Sequence, residues 1–286
     1  MSNPYAPIPM RVEKSVAETD DSSIRTISLS FPDGTAPFGF APGQFAELSI
    51  MGVGEAPFGI ASSPMTPERL DFTIARVGTV TTELHYLEPG ESVGLRGPLG
   101  NGYPLDALKG RDLLVIGGGF GFSNLRAFTN YALHPDNRGA FGSIRVVYGA
   151  RNPGLLLYRD DLCDWAKRTD MSLVVTVDRA DEGWTGLTGT VPAAIEKVKG
   201  VKSGLEGSSL EGAAALVCGP PAMIRYTLPV LARLGLAPSD IFLSLEMKMK
   251  CGIGKCGRCG IGGSYVCTDG PVYCLARLRE LPGEFR

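Results

Sequence analysis

The sequence contains no long apolar run, no block of like charge and only two histidines. Its longest apolar stretches, such as LLVIGGG and AAALVCG, are far shorter than the roughly 20 residues that a membrane-spanning helix requires. The first residues lack the apolar core of a signal peptide. A net charge of -2 offers no basic surface to a nucleic acid. We therefore expect a cytoplasmic protein with no membrane span and no nucleic-acid partner.

The scarcity of histidine narrows the catalytic options. Neither His85 nor His134 lies in a pattern with serine, aspartate or paired carboxylates that would indicate nucleophilic or acid-base catalysis. We expect His85 to be a partly buried structural residue on a helix.

Cysteine is also scarce, except in one window near the C-terminus. Five of the seven cysteines fall within residues 248–274. Clustered cysteines in a cytoplasmic protein favour metal binding over disulfides. Four of them follow the spacing C-x(4)-C-x(2)-C-x(7)-C, namely Cys251, Cys256, Cys259 and Cys267.

This spacing favours an iron-sulfur cluster. Its first three cysteines match the plant-type 2Fe-2S pattern. The interleaved glycines would let the backbone wrap closely and aim N–H groups at the sulfurs. Zinc is the alternative, but structural zinc sites usually use two separate C-x(2)-C pairs, and only one is present. Cys274 is an alternative fourth ligand.

In the rest of the chain, the pattern of apolar and polar residues changes once. Up to residue 108, short alternating strands cut by Gly and Pro predict an antiparallel barrel or sandwich. Residues 109–240 alternate apolar strands with amphipathic helices, which predicts a doubly wound parallel α/β sheet. The polar stretch KGVKSGLEGSSLEGA is predicted to be a surface loop. Residues 241–286 form a small third piece that carries the cysteines.

A glycine-rich turn in the second piece indicates a nucleotide site. LLVIGGGFGFSN places four glycines between a buried strand and a helix, where a pyrophosphate can approach bare backbone. The alternative is a tight turn that binds nothing, since G-x-G-x-x-G is absent. The next strands end in YGARNPG, TVDRAD and VCGPPAM, and all these ends would face one crevice. The four glycines are Gly117, Gly118, Gly119 and Gly121.

In this order, the three pieces resemble the ferredoxin-NADP reductase superfamily. The motifs GEAPFGIASSP, RGPLGNGYP, GGGFG, CGPPAM, MKCGIGKCGRC and YVCTDGPVY resemble its iron-sulfur flavin subunits more closely. These are the gamma subunit of nickel-iron (sulf)hydrogenases, the B subunit of anaerobic sulfite reductase and the electron-transfer subunit of dihydroorotate dehydrogenase B. In such subunits the cysteine before x-Asp-Gly-Pro is the fourth ligand, which here is Cys267 and not Cys274.

The resemblance implies FAD in a barrel domain, residues 1–108. Within the expected flavin motif, Ala56 replaces an arginine that pairs with a flavin phosphate, and Gly59 replaces a hydroxyl residue that bonds the flavin ring. Arg76 would supply the missing charge, and Phe58 would pack on the ring unless it is only a core aromatic. The implied flavin residues are Ala56, Pro57, Phe58, Gly59, Ile74, Arg76, Gly78, Val80, Thr81 and Thr82.

The resemblance also implies NAD or NADP in residues 109–240. Cys218 would lie next to the nicotinamide, as a catalytic residue with Gly59; the alternative is a small buried residue. Asp178 favours a free ribose hydroxyl and an arginine favours a 2'-phosphate, so the choice of nucleotide stays open. Asn124 stands where relatives commonly have proline. The other implied nucleotide residues are Arg151, Arg179, Gly219, Pro220 and Met223.

The implied activity is that of a diaphorase-type electron-transfer subunit, which exchanges electrons among NAD(P)H, FAD and a 2Fe-2S cluster. Its partners would be the other redox subunits of a complex that carry iron-sulfur clusters and the terminal active site. A nickel-iron hydrogenase is the first expectation, and sulfite reductase or a heterodisulfide-reductase-linked oxidoreductase is the alternative. A free-standing NAD(P)H reductase and a zinc-stapled nucleotide sensor are the rival interpretations.

Overall fold

The structure is a computed structural model that describes residues 3–34, 36, 38–198, 210 and 212–282. Most of the polar stretch predicted as a surface loop, residues 199–213, lies outside the described residues. Within the described part, the chain builds one antiparallel sheet followed by one mainly parallel sheet. Both sheets were predicted from the change in the pattern of apolar residues near residue 109, and both are confirmed.

The first sheet contains six antiparallel strands. They are β1 (Ile8–Ala17), β2 (Ile24–Ser30), β3 (Phe45–Ile50), β4 (Gly54–Gly59), β5 (Arg69–Ala75) and β6 (Ser92–Leu99). Their spatial order is β4-β3-β6-β1-β2-β5. A bridge between Ile60 and Phe72 joins the two edges of this sheet. The enclosed apolar core includes Ile27, Leu48 and Phe72, which are all fully buried.

The second sheet contains seven strands. They are β7 (Leu113–Gly118), β8 (Ile144–Ala150), β9 (Met171–Val177), β10 (Leu187–Thr188), β11 (Ala214–Cys218), β12 (Ile241–Ser244) and β15 (Val272–Cys274). Their order is β10-β9-β8-β7-β11-β12-β15, and only the last pair is antiparallel. β7 and β11 are apolar along their whole length because helices cover both faces of the sheet.

Helices and short elements complete the chain. The helices are α1 (Thr79–Tyr86), α2 (Leu105–Leu108), α3 (Phe122–Leu133), α4 (Pro135–Arg138), α5 (Arg159–Ala166), α6 (Val191–Val198), α7 (Pro221–Arg233), α8 (Val266–Asp269) and α9 (Leu275–Leu278). Single 3-10 turns cover Gly119–Gly121, Pro153–Leu155 and Pro238–Asp240. β13 (Gly260–Ile261) and β14 (Ser264–Tyr265) form a two-stranded ladder. Among the described residues, no helix has both the length and the apolar character needed to cross a membrane.

The C-terminal residues take part in the second sheet. β12 pairs in parallel with β11, and β15 adds an antiparallel edge strand. Between these two strands lies the cysteine-rich segment, residues 245–271. The piece that the sequence predicts as residues 241–286 therefore contributes two strands, β12 and β15, to the sheet of the preceding piece.

Helix α1 follows β5 and closes one side of the first sheet. His85 on this helix is buried, and its Nε2 lies 2.8 Å from the carbonyl oxygen of Ile74. Burial lowers the pKa of His85, which favours the neutral ring. The hydrogen bond and burial agree with the structural role expected for this histidine.

A partly buried arginine joins the two sheets. Arg126 on α3 donates from Nη1 to Asp71 Oδ2 on β5 at 3.0 Å and from Nε to Asp161 Oδ2 on α5 at 2.5 Å. Its guanidinium lies 4.7 Å from the centroid of the Tyr158 ring. The Tyr158 hydroxyl in turn contacts Thr73 Oγ1 on β5 at 2.5 Å. These contacts fix the position of α3 against the first sheet.

The Arg126→Met variant tests this junction. We expect it to lower the free energy of unfolding by about 3–5 kcal/mol, because the buried carboxylate of Asp71 loses the closer and less exposed of its two charge partners. Urea denaturation of the purified protein measures the change.

Arg69→Met is the matched control, since Arg69 also contacts Asp71, at 3.4 Å, but its side chain is half exposed. We expect this control to cost less than about 1 kcal/mol. Equal losses in the two variants would contradict the role of Arg126.

Candidate functional site

A cleft of about 290 Å³ lies where the two sheets and the cysteine-rich segment meet. One wall is formed by β4 and the turn after β5. The opposite wall is formed by the start of α3, and the third by residues 245–249. The structure thus brings the predicted flavin motif and the predicted glycine loop to one place.

Strand β4 carries the flavin motif along the cleft. Ala56, Pro57, Phe58 and Gly59 all line it. Phe58 is also buried in the core of the first sheet. It is therefore both a core aromatic and part of the cleft wall, which are the two positions that the sequence allowed. Residues 54–59 pair in register with β3, with Gly59 opposite Phe45. The backbone at position 59 is therefore held in place by the sheet.

The turn after β5 leads into α1 beside the cleft. Val77 and Thr81 line the cleft, and Thr81 Oγ1 accepts hydrogen bonds from the N–H groups of Val77 and Gly78. The first-turn N–H groups that follow, from Thr79 onward, have no acceptor within the helix. A helix start of this kind attracts anionic groups such as phosphates.

The remaining residues predicted to bind the flavin lie around the turn between β5 and α1. Arg76 is exposed, and its side chain makes no hydrogen bond or ion pair within the part of the chain that the structure describes. Ile74 is buried in β5, and its carbonyl is used by His85. Val80 and Thr82 are half-buried on α1.

The glycine loop after β7 contains two kinds of glycine. A Cβ on Gly118 would lie 2.3 Å from the Met223 sulfur, and one on Gly121 would lie 2.7 Å from the backbone of Gly219. These two glycines let the loops after β7 and β11 pack together. Gly119 differs, because it has a φ of 53° and open space where its Cβ would be. Gly117 is again a packing glycine, with its Cβ position filled by Phe122.

Charged residues gather at the ends of the neighbouring strands. The N–H of Asp178 bonds the carbonyl of Ala150, and the N–H of Arg179 bonds that of Arg151, which extends the pairing of β8 and β9. Arg151, Asp178 and Arg179 are exposed there. The structure therefore brings both arginines and the aspartate to the same edge, as the sequence predicted for a ribose or 2'-phosphate.

Cys218 ends β11, directly opposite Gly117 of β7. It is fully buried, and burial, reinforced by the nearby Glu246 carboxylate, raises the pKa of its thiol to about 12. The thiol is therefore neutral at physiological pH. Pro220 and Met223 follow at the start of α7, so the loop after β11 presents a compact, apolar surface.

The four clustered cysteines fall in one tightly turned segment. Cys251 Sγ accepts the N–H groups of Lys255 and Cys256 at 3.3 and 3.4 Å, and Cys267 Sγ accepts that of Gly254 at 3.1 Å. Burial raises the pKa of Cys251, but the surrounding N–H groups outweigh it and lower the pKa to about 6. Burial and the adjacent Cys259 raise the pKa of Cys267 to about 12. Positive φ angles occur at Gly252, Gly254 and Gly257.

These donors fit the chemistry of a thiolate-bound cluster, since such sulfurs require inward-pointing N–H groups. Even so, no group of three or more His, Cys, Asp or Glu side chains among the described residues is close enough together to hold a metal ion. Cys274 lies apart on β15, where its thiol donates to the carbonyls of Pro238 and Ser239 at 3.4 and 3.5 Å. Cys274 thus has partners of its own outside the cysteine loop.

Sequence reasoning missed the residues that attach the cysteine loop to the first sheet. Asn101 Nδ2 donates to the carbonyls of Asp269 and Val272, each at 3.0 Å. Arg96 Nη2 donates to the carbonyl of Cys251 at 3.2 Å and also pairs with Glu55. Both residues fall in the motif RGPLGN, which carried the resemblance but had no assigned contacts.

Glu47 was also missed. This β3 residue lies beneath the loop, fully buried, and neither carboxylate oxygen has a hydrogen-bond partner in the described part of the chain. Burial, together with the charge of Glu55, raises the pKa of Glu47 to about 7 against the opposing effect of Arg96. An alternating strand pattern gives no signal for such a residue, since it occupies an ordinary inward position.

Known proteins resemble the chain in sequence along almost its whole length. A family model described as an oxidoreductase NAD-binding domain matches residues 115–228. The sulfhydrogenase 1 subunit gamma of Pyrococcus furiosus is 37% identical over 288 residues, which cover 98% of this chain and 95% of that protein. A probable dihydroorotate dehydrogenase B (NAD(+)) electron transfer subunit of Thermococcus kodakarensis is 33% identical, covering 82% of this chain and 84% of its own.

Solved structures show the same fold. An NADH-dependent reduced ferredoxin-NADP oxidoreductase superposes with a TM-score of 0.72 at 23% identity, covering 98% of this chain and 91% of that one. A ferredoxin NADP+ reductase from Neisseria gonorrhoeae superposes with a TM-score of 0.67 at 17% identity, covering 82% and 96%. With the relatives above, this fold shows that the chain belongs to the ferredoxin-NADP reductase superfamily and is an NAD(P)H-dependent flavin oxidoreductase subunit of its electron-transfer branch.

Proposed function

We propose that the chain is a diaphorase-type subunit that passes electrons between NAD(P)H, FAD and a 2Fe-2S cluster, and to or from a partner redox enzyme. The observation that carries the proposal is the single cleft bounded by β4, the start of α3 and residues 245–249. The flavin motif, the glycine loop and the approach to the cysteine loop all contribute to its walls.

The residues of the first sheet fit a flavin. Phe58 offers an apolar surface, and the first turn of α1 offers N–H groups to a phosphate. Arg76 supplies a positive charge beside that turn, in place of the family arginine that Ala56 replaces. When bound, FAD would accept a hydride and release electrons singly.

The residues of the second sheet fit a nicotinamide nucleotide. Gly119 leaves bare backbone at the carboxyl end of β7, where the crevice of such sheets binds ligands. At the ribose end of that crevice, the ribose hydroxyl or a 2'-phosphate would be bound by Arg151, Asp178 and Arg179. The Cys218 thiol is buried and neutral at physiological pH. It would pack beneath the surface that the nicotinamide contacts and would add no charge there.

The cysteine loop is close to the cleft along the chain. Met249 lines the cleft, and Cys251 follows two residues later, which limits the separation of their Cα atoms to about 7 Å. Cys256 is exposed at the outer side of the loop. A cluster held by Cys251, Cys256, Cys259 and Cys267 would thus lie between the cleft and the surface, where another protein can exchange single electrons with it.

The partner we propose is a nickel-iron hydrogenase. Two relatives that are each 37% identical are named as gamma subunits of sulfhydrogenases, and their alignments cover at least 95% of this chain. The alternatives are a sulfite reductase, a heterodisulfide-reductase-linked oxidoreductase and a free-standing reductase.

The Gly119→Val variant tests the nucleotide site. We expect it to weaken binding of NADH or NADPH at least about tenfold, because a branched side chain fills open space at the strand end. Isothermal titration of the flavin-loaded protein measures the affinity.

Gly110→Val is the matched control, since Gly110 also has a positive φ and open space but precedes β7, at the opposite end of the strand. It introduces the same backbone strain away from the cleft. A nucleotide affinity that falls equally in both variants, or in neither, would remove Gly119 from the site.

The Cys256→Ser variant tests the cluster. We expect loss of bound iron and of the cluster absorption while FAD remains, since Cys256 lies outside the cleft. Cys274→Ser is the control and keeps its iron, because that thiol lies on β15 and donates to the Pro238 and Ser239 carbonyls, outside the cysteine loop. Iron retained in the first variant, or lost in the second, would overturn the ligand set.

Anaerobic purification from the native host through a mild affinity tag tests the partner. We expect a flavin and iron-sulfur absorption spectrum, together with co-elution of a subunit that mass spectrometry identifies as a nickel-iron enzyme. A chain that elutes alone and reduces a soluble acceptor with NAD(P)H would instead indicate a free-standing reductase. A co-eluting siroheme subunit would identify a sulfite reductase.

A further inference from the structure

The cleft contains one side chain with an unassigned role, Asn124 at the start of α3. It lines the cleft together with Gly59 of β4, which lies 65 positions earlier in the chain. A Cβ on Gly59 would lie only 1.7 Å from Asn124 Oδ1 and 2.8 Å from its Cγ. Real Cβ atoms never approach another atom so closely. The space that any side chain at position 59 would use is therefore occupied by the amide of Asn124.

Other contacts hold this amide in place. Asn124 Nδ2 lies 3.4 Å from Ser244 Oγ at the end of β12 and 3.8 Å from Cys218 Sγ at the end of β11. The side chain thus bridges the carboxyl ends of two strands of the second sheet and reaches β4 of the first. Arg126, two residues later on the same helix, fixes that helix against the first sheet.

A side-chain amide is chemically suited to this position. It offers one acceptor oxygen and two N–H donors, so it can pair with a ring nitrogen that carries a proton or with one that does not. A hydroxyl at position 59 would have the same ability, but glycine lacks it. The neighbouring cleft wall offers chiefly apolar side chains, including Phe58 and Met247.

We propose that Asn124 supplies, from the nucleotide-binding sheet, the polar side chain that position 59 lacks, and that Gly59 and Asn124 form a matched pair facing the flavin ring. The proposal rests on the proposed function, because it assumes that FAD occupies the cleft. It gives Gly59 a steric reason: glycine is required there because Asn124 takes the space. Through its contact with Cys218, the same amide also links the flavin end of the cleft to the nicotinamide end.

Four proteins test the pair: the native chain, Gly59→Ser, Asn124→Ala and the double variant. We expect Gly59→Ser to weaken FAD binding at least about tenfold, because its Cβ meets Asn124 and the sheet holds its backbone. The double variant should recover most of that affinity, since alanine at position 124 vacates the space. Fluorescence titration of the flavin-free protein with FAD measures all four affinities.

The midpoint potential of bound FAD, measured by anaerobic dye-coupled titration, separates a flavin contact from a packing role. Asn124→Ala should shift this potential. Asn130→Ala should leave it unchanged, because Asn130 is a half-buried residue of the same helix that does not line the cleft. The Asn124→Ala protein also tests the proposal by itself if Gly59→Ser does not fold.

Three results would overturn the inference. Additive effects of the two substitutions on FAD affinity would show that positions 59 and 124 are not coupled. An unchanged potential in Asn124→Ala would show that the amide does not face the flavin. A native chain that binds no FAD would overturn the proposed function as well, whereas the first two results would leave that function standing.

Discussion

The ion pairs of Arg126 hold α3 against β5 of the first sheet, and the cleft lies beside this junction. Asp71 lies on β5, which leads directly into the turn before α1, and Arg126 lies on α3, whose first turn forms the opposite wall of the cleft. This pair has little freedom to slide, since the buried Asp71 carboxylate needs its charge partner in a low-dielectric interior. The distance between the flavin motif and the glycine loop therefore depends on a contact that lies outside both motifs.

The cysteine-rich segment is positioned by a second set of contacts, and these are made mostly by backbone. β12 and β15 anchor its two ends on the second sheet, while Asn101 and Arg96 attach it to the first. A segment with few apolar side chains of its own cannot form an independent core. The loop is instead shaped by the junction of the two sheets, so its distance from the cleft follows from the fold.

Local patterns in the sequence predicted much of this architecture but little of the detail within the cleft. The change of pattern near residue 109 corresponds to the boundary between the two sheets, and the glycine-rich turn LLVIGGGFGFSN corresponds to the passage from β7 into α3. The contact between Gly59 and Asn124 could not be predicted, because it joins two sheets across 65 positions. For the same reason, no cause for the missing hydroxyl at Gly59 is visible in the sequence. Residues 241–286 also look like a separate piece in the sequence, although β12 belongs to the second sheet.

The glycine loop illustrates why a motif alone is an ambiguous signal. Gly118 and Gly121 are explained by close packing against Met223 and Gly219, and that packing would exist in a turn that binds nothing. Only Gly119 combines a left-handed backbone with open space, which is the property a bound pyrophosphate requires. Three packed glycines thus build a rigid strand-to-helix turn, and the fourth leaves its backbone accessible. Gly119 is therefore the glycine of this loop that packing does not explain, and the proposed nucleotide site rests on it.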